Sequence, residues 1–193
     1  MKNKPTPARA APQEVRIIGG QWRRSKLPVL DKPGLRPTPD RVRETLFNWL
    51  GQDLSGWRVL DAFAGTGALG MEAASRGAVQ VLMLERDAQA ARQLEANCKR
   101  LQAASVQIRT TDALVTLAAQ PGDKFDLIFL DPPFEADVFA KALSLSRAWL
   151  AEGGWVYLEA NRAFDVAELA TAGFELVRQL KAGAVHAHLL RAA

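Results

Sequence analysis

One cysteine and two histidines are all the thiol and imidazole ligands that this 193-residue chain contains. Cys98 has no second cysteine to bond, so an internal disulfide is excluded, and no Cys/His cluster has metal-ligand spacing. No metal is therefore expected. His186 and His188 alternate on a late strand and suit structural or surface roles rather than catalysis, and no serine or cysteine stands in a recognisable nucleophile context. Apolar runs approaching a membrane span are missing. The basic N-terminus lacks the apolar stretch of a secretory signal, and no internal repeat is present. These absences leave a soluble globular protein suited to a reducing cytoplasm, with a monomer as the default state.

The hydrophobic content of 48% and charged content of 24% are ordinary for one full core. Charge is unevenly placed. Residues 1–43 hold 11 lysines and arginines against three acids, a balance of +8, and the other 150 residues hold 14 against 18, a balance of −4. A basic arm on a mildly acidic body is the electrostatic footprint of a polyanion partner.

Residues 1–13, with three prolines, are expected to be a disordered basic tail. Residues 14–52 are expected to form a hairpin and helix. Glu14 to Ile18 alternates as a strand, Gly19-Gly20 signals a two-residue turn, and Gln21 to Val29 returns. Arg16, Trp22, Arg23, Arg24 and Lys26 lie on this hairpin. Arginines beside an aromatic suit RNA phosphates and base stacking; equally, Trp22 could pack on the body. After the proline-stiffened loop 32–39, Thr38 suits an N-cap, Pro39 a first helical position and Gly51 a stop. Arg36, Arg41 and Arg43 cluster at the start of that helix, against its dipole, which points to a ligand-side role.

Residues 53–193 alternate strand and helix. Strands are expected at 58–61, 81–85, around 106–108 and at 127–130, with helices between. A helix over 139–150, a turn at Gly153-Gly154 and a strand at 155–159 follow. A helix over 166–172 precedes a closing hairpin, 174–180 with 185–191. This pattern is an α/β fold: a doubly wound, mostly parallel, seven-stranded Rossmann-like sheet with its last strand reversed, plus an N-terminal β-hairpin extension.

Chemistry concentrates where the strands end. Leu127 to Leu130 is an unbroken apolar run, as in a parallel strand covered on both faces. Asp131 follows it at the carboxyl end, where open α/β sheets bind ligands. Pro132 and Pro133 then remove two N–H donors and leave nearby carbonyls free, and Phe134 adds a flat ring. These parts suit a planar group bearing an amine, such as a nucleobase. Gly65-Thr66-Gly67-Ala68-Leu69-Gly70 matches the G-x-G-x-x-G of dinucleotide sites, with Glu85 15 residues beyond Gly70. Asp61, four residues before Gly65, would repel a pyrophosphate and instead suits a cationic ligand.

Asp131-Pro132-Pro133-Phe134 resembles the signature of methyltransferases that alkylate base amines. Val59 to Gly67 resembles the first motif of class I methyltransferases. With Arg16-Ile17-Ile18-Gly19-Gly20, Leu35-Arg36-Pro37-Thr38 and Asp40 to Leu50, these stretches closely resemble the RsmD family of bacterial 16S rRNA guanine-N2 methyltransferases, over roughly residues 15–191. The resemblance implies S-adenosyl-L-methionine as cofactor. Asp61 would lie by its amino group, with Phe63, Gly65, Thr66 and Gly67 along its methionine part. Glu85, with Arg86 beside it, would take the ribose hydroxyls, and Asp112 with Ala113 the adenine. It further implies that Asp131 and the Pro132 carbonyl accept from the guanine 2-amino group while Phe134 stacks on the flipped base. The partner implied is 16S rRNA in a protein-bound small-subunit assembly intermediate. The rivals are an adenine-N6 methyltransferase on DNA or RNA, a non-catalytic RNA-binding assembly factor, and an NAD(P)-dependent oxidoreductase.

Overall fold

The structure, a computed structural model, describes residues 14–32, 35, 37–133 and 138–193. The N-terminal tail 1–13, Arg36 and Phe134 lie outside the described residues. In chain order the elements are β1 (Glu14–Arg16), β2 (Lys26–Pro28), α1 (Asp40–Trp49), β3 (Arg58–Asp61), α2 (Ala68–Ser75), β4 (Gln80–Glu85), α3 (Ala88–Leu101), β5 (Val106–Thr110), α4 (Ala113–Ala118), β6 (Phe125–Leu130), α5 (Phe139–Ser146), β7 (Leu150–Ala160), α6 (Val166–Thr171), β8 (Phe174–Ala182) and β9 (Val185–Ala192). No helix among the described residues is long and apolar enough to cross a membrane.

Seven strands form one sheet in the order β5-β4-β3-β6-β7-β9-β8. β3 to β7 pair in parallel, and β9 runs antiparallel to both β7 and β8. The chain winds outward from β3 in one direction and from β6 in the other. The crevice between those two strands is therefore the switch point at which such sheets bind ligands. Alternation along the strands splits the core in two. Val59, Leu127, Phe129 and Tyr157 pack with α1, α2 and α3, whereas Leu60, Ile128, Leu130, Val156 and Leu158 pack with α4, α5 and α6.

The N-terminal hairpin is present, with Glu14 opposite Pro28 and Arg16 opposite Lys26, but Gly19-Gly20 is not its turn. The two strands are joined across nine residues. The glycines instead let the chain press on the end of α2. A Cβ on Gly20, which has φ +73°, would strike the Ser75 carbonyl, and one on Gly19 would strike the Arg76 guanidinium. Gln21 N–H donates to the Ser75 carbonyl at 2.8 Å, and Trp22 N–H donates to Ser75 Oγ at 3.0 Å. Ile18 and Gly19 N–H both donate to the buried Glu72 carboxylate, at 2.9 and 2.7 Å. Val15, Ile17 and Leu27 join the core of the main sheet.

Arg43 departs from the expected ligand-side role. It is 1% exposed and bonds Glu72, Asp40 and the carbonyls of Thr38 and Arg16, so it ties α1, α2 and the hairpin together. Thr38 does not cap α1; Pro39 holds the N-cap position and no side chain caps that end. The helix expected over 139–150 stops at Ser146. A 3-10 turn, Arg147–Trp149, follows, and the strand begins at Leu150. Tertiary docking overrides the helical period here. Trp149 stacks on Phe125 and its indole N–H donates to the Leu117 carbonyl at 3.0 Å. Gly153-Gly154 lies inside β7, at a bulge between the Phe125–Leu150 and Leu127–Trp155 pairs, with Gly153 at φ +68°.

Candidate functional site

The carboxyl ends of β3, β4, β5 and β6 bring Asp61, Glu85, Asp112 and Asp131 to one edge of the sheet. From Asp61 the chain turns through Ala62 to Gly67 into α2. Gly67 sits in the left-handed region at φ +78° as the N-cap, and a Cβ there would collide with Leu94. Gly70 serves differently. Its N–H donates to Asp61 Oδ2 at 3.0 Å, and a Cβ would meet Met83 and that same oxygen. The missing side chain thus lets the first turn of α2 close on the carboxylate.

Asp61 is 1% exposed, and its second oxygen, Oδ1, has no hydrogen-bond partner among the described residues. Burial, reinforced by the neighbouring Glu85 and Glu159 charges, pushes its carboxyl up to about 7. A buried carboxylate oxygen without a donor is costly unless a ligand supplies one. An ammonium group fits that requirement, and a pyrophosphate does not.

Glu85 has two structural partners. Its Oε2 accepts from Gly65 N–H at 2.8 Å and its Oε1 from Asp87 N–H at 2.7 Å. It therefore pins the glycine loop to the end of β4, and its remaining lone pairs can take ligand hydroxyls. Asp112 caps α4 through a bond from Val115 N–H at 3.1 Å; Ala113 is buried beside it and Arg86 is exposed. Phe63 is half-buried and Thr66 buried. Val29, Leu30 and Leu35 line a small cavity with Gly65, Thr66 and Leu94, so the chain after the hairpin walls the glycine loop. Lys32 fastens that segment to Asp87 at 2.6 Å.

Asp131 stands half-buried just past β6, with Pro132 buried and Pro133 exposed. Period-two alternation puts Asp61, Asp131 and Glu159 on the same face as Val59, Phe129 and Tyr157. Thr38 Oγ1 donates to Asp131 Oδ2 at 3.4 Å. Tyr157 donates to Glu159 Oε1 at 2.8 Å. Burial first, then the Glu159 and Asp61 charges, hold the Asp131 carboxyl well above the usual range. Burial likewise raises Glu159, against the pull of Tyr157, Thr38 and Arg43.

Sequence reading missed Thr38 and Glu159 as members of this cluster. Glu159 carries the signal that singled out the other acids, since it closes the apolar strand run Trp155 to Leu158. Thr38 carries no such signal, because a threonine before a proline suits a helix cap first.

The basic hairpin divides into paired and unpaired groups. Arg16 bonds Asp40 at 3.1 Å and Lys26 bonds Glu14 at 3.0 Å. Arg23 and Arg24 are exposed with no ion pair among the described residues, and Arg41 is exposed on α1. Trp22 is half-buried against the core. Cys98 is half-buried in the sheet-facing side of α3, and burial pushes its thiol up to about 11, so it is no nucleophile.

Residues 15–191 match the family model described as Conserved hypothetical protein 95. The chain is 45% identical over 150 residues to ribosomal RNA small subunit methyltransferase D of Escherichia coli strain K12, covering 77% of this chain and 75% of that protein. It is 44% identical over 167 residues to the Haemophilus influenzae protein of the same name, covering 84% and 86%. Among solved structures it resembles the yhhF methyltransferase of Escherichia coli, with a TM-score of 0.81, 36% identity, and 93% and 98% of the two chains covered.

Proposed function

Since the chain belongs to the ribosomal RNA small subunit methyltransferase D family, we propose that it moves the methyl group of S-adenosyl-L-methionine to the exocyclic N2 of one guanine in 16S rRNA. The observation that carries this reading is the pairing of two acids across the switch point. Asp61 keeps a buried oxygen with no partner among the described residues, which suits a cationic cofactor, and Asp131 stands two residues past the Asp61–Phe129 register on the adjacent strand.

In this reading Asp61, the Ala62–Gly67 turn, Glu85 and Asp112 with Ala113 hold the cofactor, which supplies an electrophilic methyl group. Asp131 and the Pro132 carbonyl accept from the two N–H bonds of the guanine amine. That amine is a poor nucleophile because its lone pair is delocalised into the ring. Acceptors on both N–H bonds favour a pyramidal nitrogen and aim the lone pair along the line of displacement. Phe134 is proposed to stack on the flipped base.

Arg23 and Arg24, with Arg16, Trp22, Lys26, Arg36 and Arg41, form the proposed RNA-facing surface of residues 14–52, against a catalytic domain of residues 53–193. The substrate is proposed to be a cytoplasmic small-subunit particle already carrying ribosomal proteins, met by a monomer of this chain. In cells, 16S rRNA from a strain lacking the gene should be short of one N2-methylguanosine, restored by the intact gene. An unchanged content would overturn the proposal.

Two further results are expected. Asp61→Asn should weaken cofactor binding in calorimetric titration by roughly 10- to 100-fold, the worth of a charge-assisted bond. In the unaltered protein, affinity should rise as the pH climbs through about 7, where Asp61 ionises, and that rise should vanish in Asp61→Asn. Reversing Arg23 and Arg24 to glutamate should weaken particle binding and lower its log–log salt slope by about 0.7 to 0.9 per lost phosphate contact. An unchanged slope would return the hairpin to a purely structural role.

A further inference from the structure

The chain that leaves β7 runs beside the chain that leaves β6. Leu130 stands opposite Leu158, so Asp131 and Pro132 continue next to Glu159 and Ala160. Residues 161–165 then form the loop to α6, and Asn161, Arg162 and Ala163 are exposed at that edge. Phe164 turns back and is buried. Its ring meets the Phe139 ring edge-on at 6.5 Å, the His188 ring edge-on at 5.8 Å and the Arg162 guanidinium at 4.2 Å. Phe139 opens α5, six residues after Pro133. Arg162 forks onto Glu168 at 2.9 and 2.7 Å, and Asp165 and Glu168 cap α6 reciprocally. The loop is therefore packed between the start of α5 and the start of α6.

His188 of β9 joins this loop to the sheet. It is 1% exposed. Phe164 N–H donates to its Nε2 at 3.2 Å, and its Nδ1 lies 3.3 Å from the Leu158 carbonyl on β7. A backbone N–H can only donate and a carbonyl can only accept. The two partners therefore require a bare Nε2 and a proton on Nδ1, which is the neutral ring in one tautomer. A charged ring would set Nε2–H against Phe164 N–H. Burial holds the imidazole below its ordinary range. The His186 and Arg162 charges act the same way against the pull of the Leu158 carbonyl, and β8 sets the uncharged Gln179 opposite His188.

We infer that His188 is a positioning residue for the substrate side of the site: as the neutral Nδ1–H tautomer it fixes the β7–α6 loop through the Phe164 N–H, and the fixed loop holds Phe139 and, beside Ala160, the Asp131 and Pro132 acceptors in place. This rests on the acceptor role proposed for Asp131. His188 touches neither substrate nor cofactor. Its influence falls on the ends of β6 and β7, whereas Asp61, Glu85 and Asp112 stand at the ends of β3, β4 and β5. A change at His188 is therefore expected to act on methyl transfer and not on cofactor binding.

The test begins with the unaltered protein, where substrate identity plays no part. Side-chain ¹⁵N NMR at neutral pH should show His188 with Nδ1 protonated and Nε2 bare, and the Phe164 amide should exchange slowly with solvent. In methyl transfer to small-subunit particles at saturating cofactor, His188→Phe should lower the single-turnover rate by roughly 10- to 100-fold, as a misplacement of about 1 Å in a reacting pair does. Calorimetry should find its cofactor affinity unchanged. His188→Asn can still donate to Leu158 but falls short of Phe164, and it should lose as much as His188→Phe. His188→Gln can bring its amide oxygen to the place of Nε2, and it should stay within about threefold of the unaltered rate.

An Nε2–H tautomer, or a Phe164 amide that exchanges as freely as that of exposed Ala163, would overturn the inference. So would three variants that lose alike or lose nothing, and so would a loss that falls on cofactor affinity, the mark of a packing role. If His188→Phe does not fold, the Asn and Gln pair decides: equal rates are then the contrary result. A product other than N2-methylguanosine would overturn the proposed substrate without moving the tautomer or the ranking of the variants.

Discussion

Asp131→Ala is expected to bind S-adenosyl-L-methionine normally and to transfer its methyl group at least about 10²- to 10³-fold more slowly, the loss typical of removing one preorganised group from a reacting centre. The two halves of this expectation have separate structural sources. The proposed cofactor contacts belong to the ends of β3, β4 and β5, whereas Asp131 follows β6 and bonds only Thr38 among the described side chains. The substitution leaves β6 intact, since Phe125, Leu127, Ile128, Phe129 and Leu130 are already fully buried. Single-turnover rates with bound cofactor would show the loss in the chemical step, and calorimetry would show the affinity kept. Full activity in Asp131→Ala would remove the acceptor role from this residue.

Glu72→Ala is expected to be the most damaging single substitution to stability. Glu72 is completely buried and accepts from Arg43 at 3.2 Å, from Arg76 at 2.8 Å, and from two backbone N–H groups of the hairpin. Removing it leaves the buried Arg76 without a carboxylate partner among the described residues and Arg43 with Asp40 alone, and breaking a buried pair in this way typically costs about 3–5 kcal/mol. In a protein of this size each kcal/mol moves the thermal midpoint by about 2–4 °C, so a fall on the order of 10 °C or more is expected by calorimetry. The exposed Glu14–Lys26 pair is the control. Both partners are at least half exposed, and Glu14→Gln should cost less than about 1 kcal/mol. If Glu72→Ala unfolds no earlier than Glu14→Gln, the buried network does not anchor the hairpin.

The strand-end acids were legible because one signal repeats: an apolar run buried on both faces, then a carboxylate. Asp61, Glu85 and Asp131 each close such a run, and the structure sets them on one edge. The same signal at Glu159 was open to reading, but its meaning needs the register that puts β7 beside β6. Arg43 could not be read from its neighbours. An arginine near a helix start looks like a surface cation until the fold shows Glu72, 29 residues away, closing on it. Gly19-Gly20 carried a correct message about glycine with the wrong cause, because a turn and a close approach to α2 ask for the same residue. Leu150 and Gly153-Gly154 failed for the complementary reason, since Trp149 docking and a bulge are long-range events that local period does not encode.

The most direct measurement is transfer of labelled methyl from S-adenosyl-L-methionine to small-subunit particles from a strain lacking this gene, followed by nucleoside analysis. N2-methylguanosine formed by the unaltered protein, and absent with Asp131→Ala, is the expected result. Label appearing as N6-methyladenosine, or N2-methylguanosine formed equally by the Asp131→Ala protein, would contradict it.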